Sequence, residues 1–193
     1  VCNGLIICRV DEICGNDVIC TVIAGGEVLW TSGQAPENGF AGFNEDNVLV
    51  VDHSMTAKRA KELKIRDGCC FGPVLFKDGK PNESAQTADT TYNARTAIGQ
   101  RADGSIIFLC IDGRQAGSLG AVLPDVLNMM VRLGAVNACN LDGGASTVMM
   151  YRDQYGLFGK PGQLVVCNNY ALIQASARRM PTFFMVRSTK EGA

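Results

Sequence analysis

Histidine is nearly missing from this chain: His53 stands alone among 193 residues. Without a second imidazole, Ser146 has no plausible partner for a Ser-His-Asp triad. One histidine also fails to complete the common zinc patterns, and no C-x-x-C pair is present. His53 follows Asp52, yet a satisfied structural histidine fits better than half of an acid–base or metal pair. Net charge is close to nil, at -1. No basic stripe with interleaved aromatics runs along the chain, which argues against nucleic-acid binding by phosphate neutralisation. No apolar run is long enough to span a membrane. The first residues carry no basic segment ahead of an apolar one, so neither a span nor an export signal is visible. Repeats and low-complexity tracts are absent.

Cysteine, by contrast, is plentiful, with 9 residues. Cys2, Cys8, Cys14 and Cys20 are evenly spaced, whereas Cys69, Cys70, Cys110, Cys139 and Cys167 are scattered. Cys110 and Cys139 sit inside apolar strands, where a free thiol behaves as a small hydrophobe. The reading is therefore mostly reduced, buried cysteines in place of a disulfide framework. The length suits one domain over residues 1–193, large enough to bury a substantial core.

Strand patterns dominate. Leu5 to Val10, Val18 to Ala24 and Glu27 to Trp30 come first, the last two joined by a Gly25-Gly26 turn. Asn47 to Val51 follows, then a helix capped by Ser54 or Thr56 and carrying Ala57, Ala60, Leu63 and Ile65. Cys69 to Phe76 reads as one strand, with Gly72-Pro73 architectural, and Pro81 to Asn93 as a long surface loop. Arg95 to Gly99 and Ser105 to Ile111 are strands. Pro124 opens a helix through Leu133 that Gly134 closes, burying Val126, Leu127, Met130, Val131 and Leu133. Val136 to Leu141, Thr147 to Tyr151, Leu164 to Cys167 and Thr182 to Arg187 complete the set. The expected class is α+β: a single domain with a mixed, mainly antiparallel sheet and about two main helices.

The chemistry concentrates where apolar strands stop on charge. Val136 to Leu141, interrupted by Asn137 and Asn140, ends at Asp142, then Gly143, Gly144, Ala145, Ser146 and Thr147. A carboxylate followed by a glycine pair places a reactive group over a pocket. Asp-Gly alone proves little, since it also occurs at Asp67, Asp78, Asp103 and Asp112 and is a frequent hairpin signal. Arg95, the Asp112-Gly113-Arg114 triplet and Arg178-Arg179 form further strand-end clusters. Arginine presents paired planar donors that suit phosphate and carboxylate. Singly, each arginine is structural glue; jointly with two aspartates they suit a small anionic substrate. Neither aspartate shows a metal-ligand spacing, so no metal site or cofactor is expected, with a divalent cation left open. Trp30 and Phe40 suit a sugar site, with core packing or lone exposure the alternative.

The ordered set of motifs resembles the phosphodiester glycosidase family. It runs from Asn3-Gly4 through Phe71 to Leu75, Asp78 to Lys80, Arg95 to Gly99, Asp112 to Arg114 and Gly117. Leu133 to Ala138, Asn140 to Gly144 and Arg179 with Pro181-Thr182 continue it. Ala94 stands where the family often has proline, and Ala145 where it usually has Gly or Ser. The resemblance implies hydrolysis of a sugar-1-phosphodiester to free sugar and a phosphomonoester; the alternatives are a metal-dependent phosphodiesterase cutting the P–O bond and a non-catalytic carbohydrate-binding or exopolysaccharide-assembly domain. Asp142 and Asp112 would then be the catalytic carboxylates. Asn3, Arg95, Arg114, Asn140, Gly143, Gly144, Ser146, Thr147 and Arg179 would bind the substrate, a small-molecule or polysaccharide sugar phosphate. The resemblance points to a secreted or cell-envelope protein, whereas reduced cysteines and no visible signal point to the cytoplasm.

Overall fold

Glycines placed under a phenylalanine shape the first sheet. In the computed structural model, which describes residues 5–6, 21–31, 39–168, 180 and 182–187, Gly42 lies directly opposite Gly68. A Cβ at either would stand 2.6 and 2.5 Å from Cζ of Phe40, so the ring lies across both backbones. Phe40 is thus a core residue, 0 % exposed, and not a sugar platform. The strand that carries it escaped the sequence pattern because its glycine breaks the apolar alternation.

In chain order the elements are β1 Leu5–Ile6, β2 Val22–Ala24, β3 Glu27–Trp30, β4 Phe40–Asn44, β5 Leu49–Asp52, α1 Ala57–Glu62, β6 Ile65–Cys70, β7 Val74–Lys77 and β8 Lys80–Pro81. There follow α2 Glu83–Thr87, β9 Arg95–Arg101, β10 Ile106–Ile111, α3 Leu123–Arg132, β11 Ala135–Leu141, β12 Met150–Asp153, β13 Gln163–Val166 and β14 Val186–Arg187. The class is α+β, as expected. The expected single sheet is instead two five-stranded sheets, ordered β3-β2-β6-β4-β5 and β10-β9-β11-β7-β8, with ribbons β12-β13 and β1-β14. Every described pairing is antiparallel.

Strand alternation sorts the side chains into layers. Ala41, Phe43, Leu49 and Val51 of the first sheet meet Val74, Ile98 and Cys139 of the second. On the outer face of the first sheet, Phe40, Ile23 and Ile65 pack with Met55 and with Ala60 of α1. On the outer face of the second, Leu75, Ala97 and Ala138 lie with Leu123, Val126, Leu127 and Met130 of α3 and Ala85 of α2. Polar side chains stitch the sheets together. Gln100 Oε1 accepts the Leu49 N–H at 2.7 Å, and Asn137 Nδ2 donates to the Leu49 carbonyl at 3.1 Å. The polar interruption at Asn137 is therefore a bridge between layers.

Local departures from the sequence reading have local causes. Thr56 caps α1, its Oγ1 accepting from Arg59 N–H at 3.2 Å, but Ile65 belongs to β6 and not to the helix. The run expected as one strand over Cys69 to Phe76 is two, β6 and β7, in different sheets, with Phe71-Gly72-Pro73 as the crossing. Within the expected loop, Asn82 caps α2, too short to show a period, and buries Ala85. On α3, Val131 and Leu133 are 45 % and 37 % exposed, so the buried face is narrower than expected. Of the five described cysteines, Cys69, Cys70 and Cys139 are buried, Cys110 is half-buried and Cys167 is exposed; Cys2, Cys8, Cys14 and Cys20 lie outside the described residues. No described helix is long and apolar enough to cross a membrane.

The loop joining β12 to β13 is built on a buried carboxylate. Asp153 accepts N–H groups from Leu157 at 3.0 Å, Phe158 at 2.7 Å and Gly159 at 3.1 Å. The Phe158 bond first, then those of its neighbours, holds the carboxyl below its ordinary value of 3.8 despite burial. A depressed folded value means that this stabilisation is present above pH 3.8 and is lost as pH falls through the folded value below it. Amide protection at Leu157, Phe158 and Gly159, corrected for intrinsic exchange, is therefore expected to stay level from neutral pH down to about 4 and to drop below it. Loss of protection already near neutral pH would contradict this.

Candidate active site

Register alone brings the two aspartates to one edge. In the second sheet β9 lies between β10 and β11, with Ile111 opposite Arg95 and Leu141 opposite Thr96. Asp112 and Asp142 are the next residues after those two strand ends. Strands are about 4.8 Å apart, so their backbones flank the start of β9 at roughly 10 Å from each other.

Three glycines let the surrounding loops close on that point. A Cβ on Gly113 would lie 2.3 Å from Ala94 N; on Gly143, 2.6 Å from Ala94 O; on Gly120, 2.3 Å from Asn93 O. The Asn93-Ala94 backbone is thus enclosed by the two aspartate loops. This separates Asp112-Gly113 and Asp142-Gly143 from Asp78-Gly79 and Asp103-Gly104, whose glycines face open space at positive φ as ordinary turn residues. Asp67-Gly68 lies within β6 and makes no turn.

Asn168 joins the two loops. Its Nδ2 donates to Asp112 Oδ1 at 3.1 Å and to the Thr147 carbonyl at 2.8 Å, while its Oδ1 accepts from Met149 N–H at 2.7 Å. Thr96 Oγ1 bonds Thr147 Oγ1 at 3.2 Å, tying β9 to the same loop. Asp112 is half-buried and held from two sides, since Ser118 Oγ also donates to its backbone carbonyl at 2.6 Å. Asp142 is exposed at the head of its loop. Behind it the Gly144–Ser146 turn directs Ser146 and Thr147 inward, and both are buried. Ser146 Oγ and Asn140 Oδ1 are buried with no hydrogen-bond partner among the described residues. Asn140 Nδ2 meanwhile holds the sheet crossing at the Gly72 carbonyl, 2.8 Å away.

The other expected residues sort differently. Gly144 N–H is bonded to the Ala94 carbonyl at 2.8 Å, so it closes the loop and is not aimed at a phosphate. Arg95 is buried, with Nε on the Ala121 carbonyl at 2.9 Å, NH1 on Asp89 at 2.9 Å and NH2 on the Thr91 carbonyl at 2.7 Å. Each nitrogen already bonds protein, and the ion pair holds the Asp89 carboxyl below its usual range. Arg95 clamps the segment that the aspartate loops enclose. Arg114 is exposed at φ 56, a left-handed conformation uncommon for a long side chain, and its guanidinium has no partner among the described residues. Asn3 and Arg179 lie outside the described residues.

Cys110 lies within hydrogen-bonding reach of Thr96, and burial pushes its thiol up to about 11. It is neutral at ordinary pH and is no thiolate nucleophile. No three His, Cys, Asp or Glu side chains cluster as a metal site among the described residues. A surface groove lined by Gly25, Lys61, Lys64 and Arg66 belongs to the other sheet, and none of the candidate residues lines it. Sequence reasoning missed Asn168 as a site residue, although the same signal marked it: an apolar run, Leu164 to Cys167, that stops on a polar side chain.

Comparison with known proteins supplies the family. The phosphodiester glycosidase profile matches residues 13–187. Over 93 residues, 47 % of the chain, the sequence is 36 % identical to an uncharacterized SPbeta prophage-derived protein of Bacillus subtilis (strain 168), covering 14 % of it. Over 145 residues, 67 % of the chain, it is 24 % identical to the N-acetylglucosamine-1-phosphodiester alpha-N-acetylglucosaminidase of Bos taurus, covering 27 % of it. The zebrafish catalytic domain of the latter name, auto-inhibited by its pro-peptide, superposes with a TM-score of 0.66 at 20 % identity. That alignment takes in 97 % of this chain and 64 % of the zebrafish one, and it establishes likeness of fold. The chain therefore spans only a minor part of the curated relatives it matches. With the profile matching from residue 13 to 187, this chain belongs to the phosphodiester glycosidase family.

Proposed function

We propose that this domain hydrolyses the glycosidic bond of a sugar-1-phosphodiester, releasing free sugar and a phosphomonoester. The observation that carries the reading is the closure of two aspartate loops on the Asn93-Ala94 backbone, with an exposed arginine on one of them. A phosphate ester leaves the anomeric carbon far more readily than an alcohol does, so the site needs little general-acid help. It needs a carboxylate beside the developing oxocarbenium centre and cationic grip on the departing phosphate. Asp142 and Asp112 take the first requirement, one stabilising the sugar cation and the other taking the proton of the attacking water. Arg114 takes the second, with its planar donors open for phosphate oxygens. Ser146 Oγ and Asn140 Oδ1, buried without partners among the described residues, suit hydroxyl or amide groups of the sugar. Thr147 and Gly143 line the same loop. The names borne by the bovine and zebrafish proteins make an N-acetylglucosamine-1-phosphodiester the first substrate to try.

The test is phosphorus and proton NMR of the purified protein with N-acetylglucosamine-1-phosphate methyl ester. Free sugar with methyl phosphate is the expected product pair. Sugar-1-phosphate with methanol would overturn the reading, and full loss of turnover on chelation would point to metal-dependent phosphodiester cleavage. Arg114→Ala is expected to raise KM about tenfold with a smaller change in kcat, because an exposed cation grips ground state and transition state alike. Unchanged kinetics would remove Arg114 from the phosphate.

A further inference from the structure

Among the described residues, the ribbon formed by β12 and β13 pairs with neither large sheet. Its two feet meet at the candidate site, where Cys167 N–H donates to the Met149 carbonyl at 2.8 Å and Met149 N–H reaches Asn168 Oδ1 at 2.7 Å. Asn168 also bonds Asp112, so the ribbon springs from the residues that assemble the carboxylates. At the far end Asp153, 1 % exposed, organises the loop through the three N–H bonds described above. A loop tied internally in this way nonetheless turns its apolar side chains outward. Tyr155, Leu157 and Phe158 are 79 %, 72 % and 76 % exposed. Phe158 is braced edge-on against Tyr151, with ring centroids 6.1 Å apart. Apolar side chains grouped on an ordered projection mark an interaction surface.

We propose that this tip is a glycan-stacking subsite, which holds the part of the substrate beyond the phosphate when that part is itself a sugar chain. The assignment rests on the proposed glycosidase reading. Size and charge favour a sugar over other occupants. A stable protein interface takes about 20–30 residues a side, far more than this tip offers. A lipid surface calls for clustered basic residues, and Lys160 is the only charged residue from Gln154 to Gln163. Aromatic faces, negative at the centre, match the polarised C–H face of a pyranose, while Gln154 and Lys160 are exposed beside them for hydroxyl contacts. A four-residue strand is about 13 Å long, so the tip is remote from the reacting bond yet within reach of an attached oligosaccharide.

The test compares the methyl phosphodiester with the same sugar phosphodiester borne on a neutral oligosaccharide, using wild type and a Tyr155→Ala/Phe158→Ala double variant. Wild type is expected to prefer the oligosaccharide, and the double variant to lose about tenfold in kcat/KM on it through KM while staying within about twofold on the methyl ester. No preference in wild type, or a preference kept by the variant, overturns the subsite. Binding is read separately by saturation-transfer NMR with the unphosphorylated oligosaccharide. Contact in wild type that is lost in the variant supports the subsite even if no ester is hydrolysed, in which case only the glycosidase reading fails. Absence of contact in wild type overturns the subsite. Melting temperature confirms that the variant is folded.

Discussion

Asp142→Asn is expected to lower kcat by about a hundred- to ten-thousand-fold, the range typical of a positioned carboxylate that moves a proton or meets developing charge. The side chain is exposed at the head of its loop, so the change removes a charge without opening a cavity. Asp112→Asn is expected to fall in the same range. It keeps an oxygen that can accept from Asn168 Nδ2 while removing the charge. The two losses should combine to less than their product, because the carboxylates act on one transition state. A folded Asp142→Asn enzyme with full activity would take Asp142 out of the chemistry. Full activity in Asp112→Asn would reduce Asp112 and Asn168 to a structural tie. Melting curves recorded beside the kinetics separate loss of function from loss of fold.

The second large effect concerns folding. Gly113→Ala is expected to destabilise the domain by about 3 kcal/mol or more, the upper range for a group forced into packed space. Its Cβ would sit 2.3 Å from a backbone nitrogen that belongs to β9's entry and has no rotamer to change. For a domain of this size that corresponds to a drop of roughly 6–12 °C in Tm. Gly117→Ala is the control: nothing lies within 4 Å of its added Cβ and its φ is not in the left-handed region, so a change within about 0.5 kcal/mol is expected. Denaturant unfolding of both variants checks the pair. Equal stability would mean that the Asp112 loop does not rest on Ala94.

The difference between those glycines shows what the sequence could reveal. Asp-Gly reads identically at Asp78, Asp103, Asp112 and Asp142, yet two of these glycines turn into open space and two are pressed against Ala94. Only the register of β9 between β10 and β11 distinguishes them, and register is a property of the assembled sheet. Strand ends were legible because apolar runs stop on charge, which located Asp112 and Asp142. Long periodic elements such as α3 were equally plain. Burial was less so: Arg95 looks like an anion-binding residue until its three nitrogens are seen bonded to Ala121, Asp89 and Thr91. Asn168 was marked only as the polar end of an apolar run; its bridging of two loops is set by their meeting, far apart in sequence. The division into two sheets was hidden for a related reason. Cys69 to Phe76 is continuously apolar, and nothing in that pattern says that the chain changes layers at Phe71-Gly72-Pro73.

Hydrolysis of N-acetylglucosamine-1-phosphate methyl ester in oxygen-18 water, followed by phosphorus NMR and mass analysis of the sugar, tests the central claim most directly. Cleavage at the anomeric carbon predicts label in the free sugar and none in methyl phosphate. Label in the phosphate would show attack at phosphorus and contradict the account.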